Sequence, residues 1–251
     1  MAIKTRNMIK FFRKIRYDLI GKNKTGKPAH QTGRYLKYAV GEIILVVIGI
    51  LIALSISDWN ENRKNILSEK RYLNDLIQDL KNDAIMLNQI NIFLESKSAS
   101  KTKIEPLLDG HKVDIDSIDY HFTIQWAVRN RFTPTSITIE ELKNSGKLNI
   151  IRDINLRRQI VSLYNTYSYE VFSEDMFNSA NVKLVNLAGT YFRNVLEPTK
   201  DEIYVALEDN EFINGIRANF TFARMDAIND LRKRCSSLIQ NLEKYKAEVH
   251  G

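Results

Sequence analysis

The sequence predicts an all-α protein: an N-terminal transmembrane helix followed by a long-helix bundle with coiled-coil-like seams. Three observations predict it. From Ala39 to Ile56 the only ionisable residue is Glu42, and a helix rising 1.5 Å per residue covers most of a ~30 Å hydrocarbon core over that stretch. Ile66, Leu73, Leu80, Leu87 and Leu94 then recur at seven-residue intervals, the period of a helix burying one stripe. Ile228, Leu231, Cys235, Leu238, Leu242 and Tyr245 alternate three and four residues apart near the end. Strand signals are short and isolated, as in SITI and EIYVAL.

The chain has 251 residues, with 44% hydrophobic and 27% charged side chains, so one folded domain fits beside the membrane helix and disorder is not expected. The formal charge of +7 suggests nucleic acid only if it is spread evenly. It is not: residues 1 to 37 carry eleven Lys and Arg against the single acid Asp18, which leaves the remainder at about −3. The excess belongs to the membrane-proximal arm, and no nucleic-acid partner is expected.

Residues 1 to 34 read as a basic cytoplasmic arm. Within it Ile9, Phe12, Ile15 and Leu19 fall at helical spacing between Lys10, Arg13, Lys14 and Arg16. This pattern, over residues 8 to 20, is a basic amphipathic helix suited to the membrane surface, its cations near anionic headgroups. A solubilising, topology-setting tail is the alternative. Residues 21 to 33 are polar and contain Pro28, a connector.

Residues 35 to 59 form the expected span with its interfacial anchors, Tyr35 and Tyr38 on one side and Trp59 on the other. Lys and Arg beside a span are retained in the cytoplasm, so the N-terminus is expected inside and residues 60 to 251 outside, in the periplasm if the membrane is a bacterial inner membrane. A cleavable signal peptide competes, with small residues at Ala53-Leu54-Ser55. The long basic arm, Glu42 and the length of the apolar run argue against it. Gly41, Gly49, Ala53 and Ser57 lie at multiples of four and line one helix face that permits close helix approach. Glu42 within the span suggests ion coupling or a partner helix; one turn past Tyr38, it also suits the cytoplasmic interface.

The succession MIKFFRKIR, YLKYAVGEIILVVIGILIAL and WNENRK resembles the N-terminal signature of an uncharacterised family of small bacterial single-pass membrane proteins. The resemblance implies one span near the N-terminus and a helical domain of unknown function, and no activity. It starts at Met8, which makes Met8 an alternative initiator.

Beyond Trp59 the heptad helix carries Leu76, Ile77, Ala84 and Ile90 in a second seam, interrupted by Asp83 and Asn91; packing within the chain and self-association both fit. Residues 98 to 116, with Pro106 and Gly110, read as a loop. His111, Asp114, Asp116, Asp119 and His121 gather near its end but match no metal-binding spacing; Asp116 or Ser117 is expected to cap a helix starting at Ile118. That helix is expected to reach Arg131 before Pro134. A short helix follows at 137 to 144, closed by Gly146. Asp153 caps a long helix with Leu156, Ile160, Leu163 and Tyr167 inward, continuing through Phe172, Met176 and Leu184 to Leu196. A last helix is expected from Asp209 to Glu248, antiparallel to the first, so that the C-terminus returns towards the membrane.

Functional signals are sparse. Helical spacing places Tyr164, Tyr167, Tyr169 and Tyr191, with Phe172, Phe177 and Phe192, in the bundle core. The pairs Glu140–Glu141 and Glu174–Asp175 are adjacent on helices, so their side chains diverge onto solvated faces. Cys235 sits in a seam and reads as a small buried hydrophobe. No nucleophile–base pair, phosphate loop or metal motif is present at a justified spacing, so no cofactor and no enzymatic activity are expected. A membrane-anchored interaction or scaffolding protein fits best, with a homo-oligomer or another membrane protein as partner. A periplasmic solute sensor signalling through a partner is the alternative, and an enzyme of unknown kind a weaker one.

Overall fold

The computed structural model describes residues 31–127 and 131–250, with side chains in 39–127 and 131–249. Among these residues the elements are α1 (Gln31–Leu108), α2 (Ile118–Trp126), α3 (Ile137–Asn144), a 3-10 turn (Leu148–Ile150), α4 (Ile154–Tyr191), α5 (Lys200–Ala206), α6 (Asn210–Arg217) and α7 (Thr221–His250). The fold is all-α, with no strand among the described residues. Two compact units divide the chain, Met1–Asn62 and Arg63–Gly251.

In the first unit, the described residues belong to the start of α1. From Ala39 the segment is long and apolar enough to cross a membrane, and none of its apolar window is buried by protein. Ser55 returns its hydroxyl to the Leu51 carbonyl at 2.8 Å, which satisfies a polar side chain within the helix itself.

In the second unit, α1, α4 and α7 make the long walls. The seam expected on α1 is buried from Tyr72 through Leu94, with Ile66 partly exposed. It packs with Leu156, Ile160, Leu163 and Tyr167 of α4 and Ile228, Leu231, Leu238 and Leu242 of α7. The α1 seam is thus covered by helices of the same chain. Cross-links run in opposite directions along α1 and α7: Asn88 with Arg232, Lys81 with Glu243 and Asn74 with Lys246. The two helices are antiparallel, as expected. Cys235 lies at the centre, its thiol donating to the Leu80 carbonyl at 3.3 Å; burial pushes its pKa up to about 11, so it is a packing residue and a poor nucleophile.

A second apolar cluster joins the C-terminal end of α1 (Ile104, Leu107, Leu108) to α2, α5, α6 and the end of α4. Trp126 stacks on Phe192 at 5.5 Å and donates its indole N–H to the Val195 carbonyl. Gly215 permits α6 to approach α4, since a Cβ there would lie 3.1 Å from Leu184 Cδ1.

Several boundaries differ from expectation. The stretch from 98 to 108 is helix, with Pro106 in the last turn of α1; Ile104, Leu107 and Leu108 are buried, and this burial outweighs one missing amide donor at a helix end. Gly110, at φ 82°, then closes the helix as the His111 amide bonds back to the Pro106 carbonyl. Ser117 occupies the N-cap position of α2 in a left-handed conformation, and neither it nor Asp116 supplies the expected cap. Helix α2 ends at Trp126, short of Arg131, and α4 ends at Tyr191, short of Leu196.

The helix expected from Asp209 is two helices, α6 and α7, separated at 218–220 by buried Asn219 and by Phe220 at φ 54°. Gly146, at φ 66°, does close α3, and the Asp153 carboxylate caps α4 by accepting from the Asn155 and Leu156 amides.

Truncation of Leu80, fully buried in the α1 seam, is expected to cost about 3 kcal/mol in Leu80→Ala. The exposed neighbour change Leu67→Ala is expected to stay within about 0.5 kcal/mol. Urea unfolding of the intact protein reads both.

Candidate functional site

The small-residue face Gly41, Gly49, Ala53 and Ser57, together with Glu42, lies in α1 on the part not covered by protein. No atom lies within 4 Å of a Cβ built on Gly41 or Gly49, so that face is open to a close neighbour. Trp59 is exposed on the same helix. Tyr35 and Tyr38 fall within α1 but their side chains lie outside the described ones, and Lys10, Arg13, Lys14 and Arg16, with the helix expected over 8 to 20, lie outside the described residues. The histidines and acids around residue 111 do not converge: Asp114 pairs with Lys200 at 2.5 Å, and His121 is buried against Ser100 Oγ at 3.0 Å. Among the described residues no three His, Cys, Asp or Glu side chains are placed to hold a metal.

What the fold assembles is a polar layer between the two apolar clusters. On α1 the three-and-four spacing of Leu87, Ile90 and Leu94 continues into Lys97, Lys101 and Ile104, so two lysines fall on the buried stripe. On α4 the inward positions after Tyr167 are Glu170, Glu174 and Asn181 before apolar packing resumes at Leu184. Arg224 enters from α7.

Its geometry is specific. Arg224 donates from Nε and Nη2 to the two oxygens of Glu174, at 2.8 and 2.9 Å, with the pair 8% and 4% exposed. Such two-point pairing compensates part of the cost of burying both charges. Lys97, 3% exposed, donates to Asn181 Oδ1 at 3.0 Å. Burial, then the positive charges of Arg224 and Lys101, pull its pKa down to about 7. Lys101 donates to the Arg217 carbonyl and to Asn219 Oδ1, at 2.9 and 3.2 Å, and burial lowers its pKa too. Asn219 in turn donates to the Gln125 carbonyl at 3.1 Å, tying the break between α6 and α7 to α2. Glu170 is buried with Oε1 unbonded among the described residues; burial and then the Glu174 carboxylate raise its pKa.

Glu174 was expected on a solvated face and is in the interior, while its neighbour Asp175 is outside and paired with Arg131. The adjacent side chains do diverge, but only one of them reaches water. The same register corrects the aromatic core. Tyr164, Tyr167 and Phe192 are buried, whereas Tyr169 and Phe172 are 70% and 64% exposed and Met176 is 55% exposed.

Tyr169, Phe172 and Met176 line two open grooves on the outer side of α4, Tyr169 the first and the other two the second. One, of about 720 Å3, is lined by Ile154, Arg157, Arg158, Val161 and Tyr169 among others. The second, of about 700 Å3, runs past Phe172, Met176, Lys183, Glu211 and Phe220. The aromatic clue was legible; which face of α4 turned inward was not, since a 38-residue helix carries apolar residues on both.

A further set of acids on the α1 stripe holds loops. Asp83 Oδ1 accepts from the Thr135 amide at 2.7 Å and Asp79 Oδ2 from the Thr138 amide at 3.2 Å. Asp79 thereby satisfies a first-turn amide of α3, whose own N-cap Ser136 makes no side-chain cap bond, and Asp83 fixes the residue that precedes that cap. Glu69 similarly accepts from the Arg152 amide and the Tyr245 hydroxyl, both at 2.8 Å.

Two outcomes are expected from these charges. Arg224→Met leaves Glu174 buried without its cation and is expected to cost about 3–5 kcal/mol, most of it recovered in the double variant with Glu174→Leu; urea unfolding checks the cycle. Burial lifts the Asp83 pKa from 3.8 to about 6. A raised carboxyl stabilises the fold below its unfolded value, and that contribution is lost as pH rises through the folded value. Asp83→Asn, which keeps the acceptor for Thr135, is therefore expected to flatten the loss of stability between pH 4 and pH 7, by an amount on the order of 2 kcal/mol. Unfolding midpoints across that range measure it.

No curated protein and no solved structure matches the chain. Residues 42–223, from the apolar part of α1 to the start of α7, match the model of a family of unknown function, DUF6090. The match spans well over half of the sequence, and the chain belongs to that family.

Proposed function

We propose that this chain is a single-pass bacterial inner-membrane protein that acts by binding, with the outer face of α4 as its contact surface. The N-terminus is cytoplasmic in this reading and residues 60 to 251 periplasmic, because eleven cations precede the span against one acid. Lys10, Arg13, Lys14 and Arg16 would then lie against anionic headgroups.

The observation that carries the binding role is the exposed group Tyr169, Phe172 and Met176 on α4, lining two grooves. Aromatic side chains and methionine are enriched where proteins dock. The two grooves lie in line along one helix face, which suits an amphipathic helix of a partner protein with apolar side chains on one stripe. Arg157 and Arg158 line one groove, so that helix would present an acid to it, whereas the other carries both signs, Asp175 and Glu211 with Lys183. A second reading, a periplasmic solute sensor signalling through a partner, draws on the buried polar layer, since α1 carries both the apolar segment and Lys97.

A photo-crosslinking residue in place of Phe172 in the membrane-bound protein is expected to trap one discrete protein partner, with the adduct lost on Met176→Glu. Val205, exposed on α5, is the control position. Adducts with lipid alone, with a second copy alone, or equal trapping at Val205 would overturn the reading. With the partner in hand, Tyr169→Ala is expected to weaken binding about 10- to 30-fold while leaving the unfolding midpoint unchanged. Orientation has its own measurement: a reporter fused after Gly251 should be active in the periplasm, and activity confined to the cytoplasm contradicts the topology.

A further inference from the structure

Two apolar clusters are threaded on the same helices. α1 supplies Leu80 and Leu87 to the first and Ile104 and Leu107 to the second, and α4 supplies Ile160 and Tyr167 to the first and Leu184 and Ala188 to the second. Between them the stripe is polar on every wall: Lys97 and Lys101 on α1, Glu170, Glu174 and Asn181 on α4, Arg224 on α7, and His121 and Gln125 on α2. Apolar contacts propagate cooperativity along a helix bundle, and a layer whose members prefer water interrupts it.

We propose that this layer is a proton-operated seam, at which the cluster built on Phe122, Trp126 and Phe212 opens without the cluster built on Leu80 and Cys235, taking up a proton at Lys97 as it does so. The charges at the layer set the direction. Glu174 is engaged at both oxygens by Arg224, and the Lys97 amine meets a neutral amide oxygen, Asn181 Oδ1. Lys101 on its own helix and Arg224 across the bundle both oppose a charge there. From α2 the neighbour is the Gln125 amide, donating to the Lys97 carbonyl at 3.4 Å. Closed, the site therefore favours the neutral amine. Opening admits water to Lys97, which then regains the proton.

The amine pKa of about 7 in the closed form, against 10.5 in water, fixes the pH window. Between these values the open form holds more protons, so each unit of acidification multiplies opening by up to about tenfold. Below about pH 7 the amine is charged in both forms and the gain levels off. The remaining groups act at other places in the range. Lys101, also lowered by burial, pushes in the same direction. His121, lowered by burial, does so at lower pH. Glu170 works oppositely: burial, then the Glu174 carboxylate, raises its pKa in the closed form, so acid favours the closed form through it.

Hydrogen exchange of the full-length protein in a lipid nanodisc, followed by mass spectrometry from pH 6 to pH 9 and corrected for intrinsic rates, tests the seam. Peptides from residues 118–126 and 203–217 are expected to open up to about tenfold more per unit between pH 9 and pH 7 and then to level off. Peptides from residues 72–94 and 228–242, and Cys235 by its alkylation rate corrected for thiolate fraction, should stay more protected at every pH, exchanging as a separate unit. Lys97→Met, which keeps the length of the side chain and removes the amine, should remove most of the slope, leaving the smaller part that Lys101 supplies; Glu170→Gln should preserve it. Exchange of both clusters in one step with one pH dependence overturns the proposal. So does a slope that Lys97→Met leaves undiminished.

Discussion

The burial of one stripe of α1 is the constraint on which the second unit depends. A helix of this length cannot shield its own apolar side, and Tyr72 through Leu94 would face water without cover. α7 covers the stripe in the antiparallel sense and α4 covers it from the other side, which places Cys235 against the Leu80 carbonyl and Ile160 and Tyr167 in the same cluster. The short elements are then placed by acids on that stripe. Asp79 and Asp83 hold the start of α3, and Glu69 holds the turn into α4. Those acids are tolerable in the interior because each accepts from backbone amides that otherwise lack a partner. Asp83 nevertheless bears the cost of burial in its raised pKa.

The same stripe changes character at Lys97. Glu174 with Arg224, and Lys97 with Asn181, replace leucines at positions where the helix register still points inward. A buried ion pair adds little net stability compared with an apolar pair of the same shape. Its effect is on register: a charge at one level on α4 is satisfied only when Arg224 of α7 sits opposite, so the helices cannot slide by a turn. The layer also leaves each apolar cluster to be stabilised by its own contacts. In the second cluster these include a set of aromatic rings, Phe122, Trp126, Phe192 and Phe212, packed among aliphatic side chains.

Charge is distributed along the chain as unevenly as polarity is within the bundle. The cations that make the whole sequence basic precede the apolar segment, and the folded unit after it is slightly acidic. What its surface offers is the side of α4 that the core leaves over, where Tyr169, Phe172 and Met176 project beside the two grooves. Membership of a family of unknown function assigns no activity to that surface.

Local pattern determined a great deal. The apolar segment, the all-α class, the seams of α1 and α7, the caps at Asp153 and Gly146 and the interior place of Cys235 all follow from spacing and from single-residue backbone preferences, which act within a few turns of helix. Tertiary structure decided the rest, because it turned on which face of a helix met which neighbour. Residues 98 to 108 stayed helical through Pro106 because Leu107 and Leu108 found a second cluster to enter. α4 rotated so that Glu174 went inside and Phe172 outside, since Arg224 waits some fifty residues later in the chain. The break at Phe220 likewise rests on Asn219 reaching Lys101 and Gln125. Such long-range pairings leave no periodic trace in the sequence, and the polar layer consists almost wholly of them.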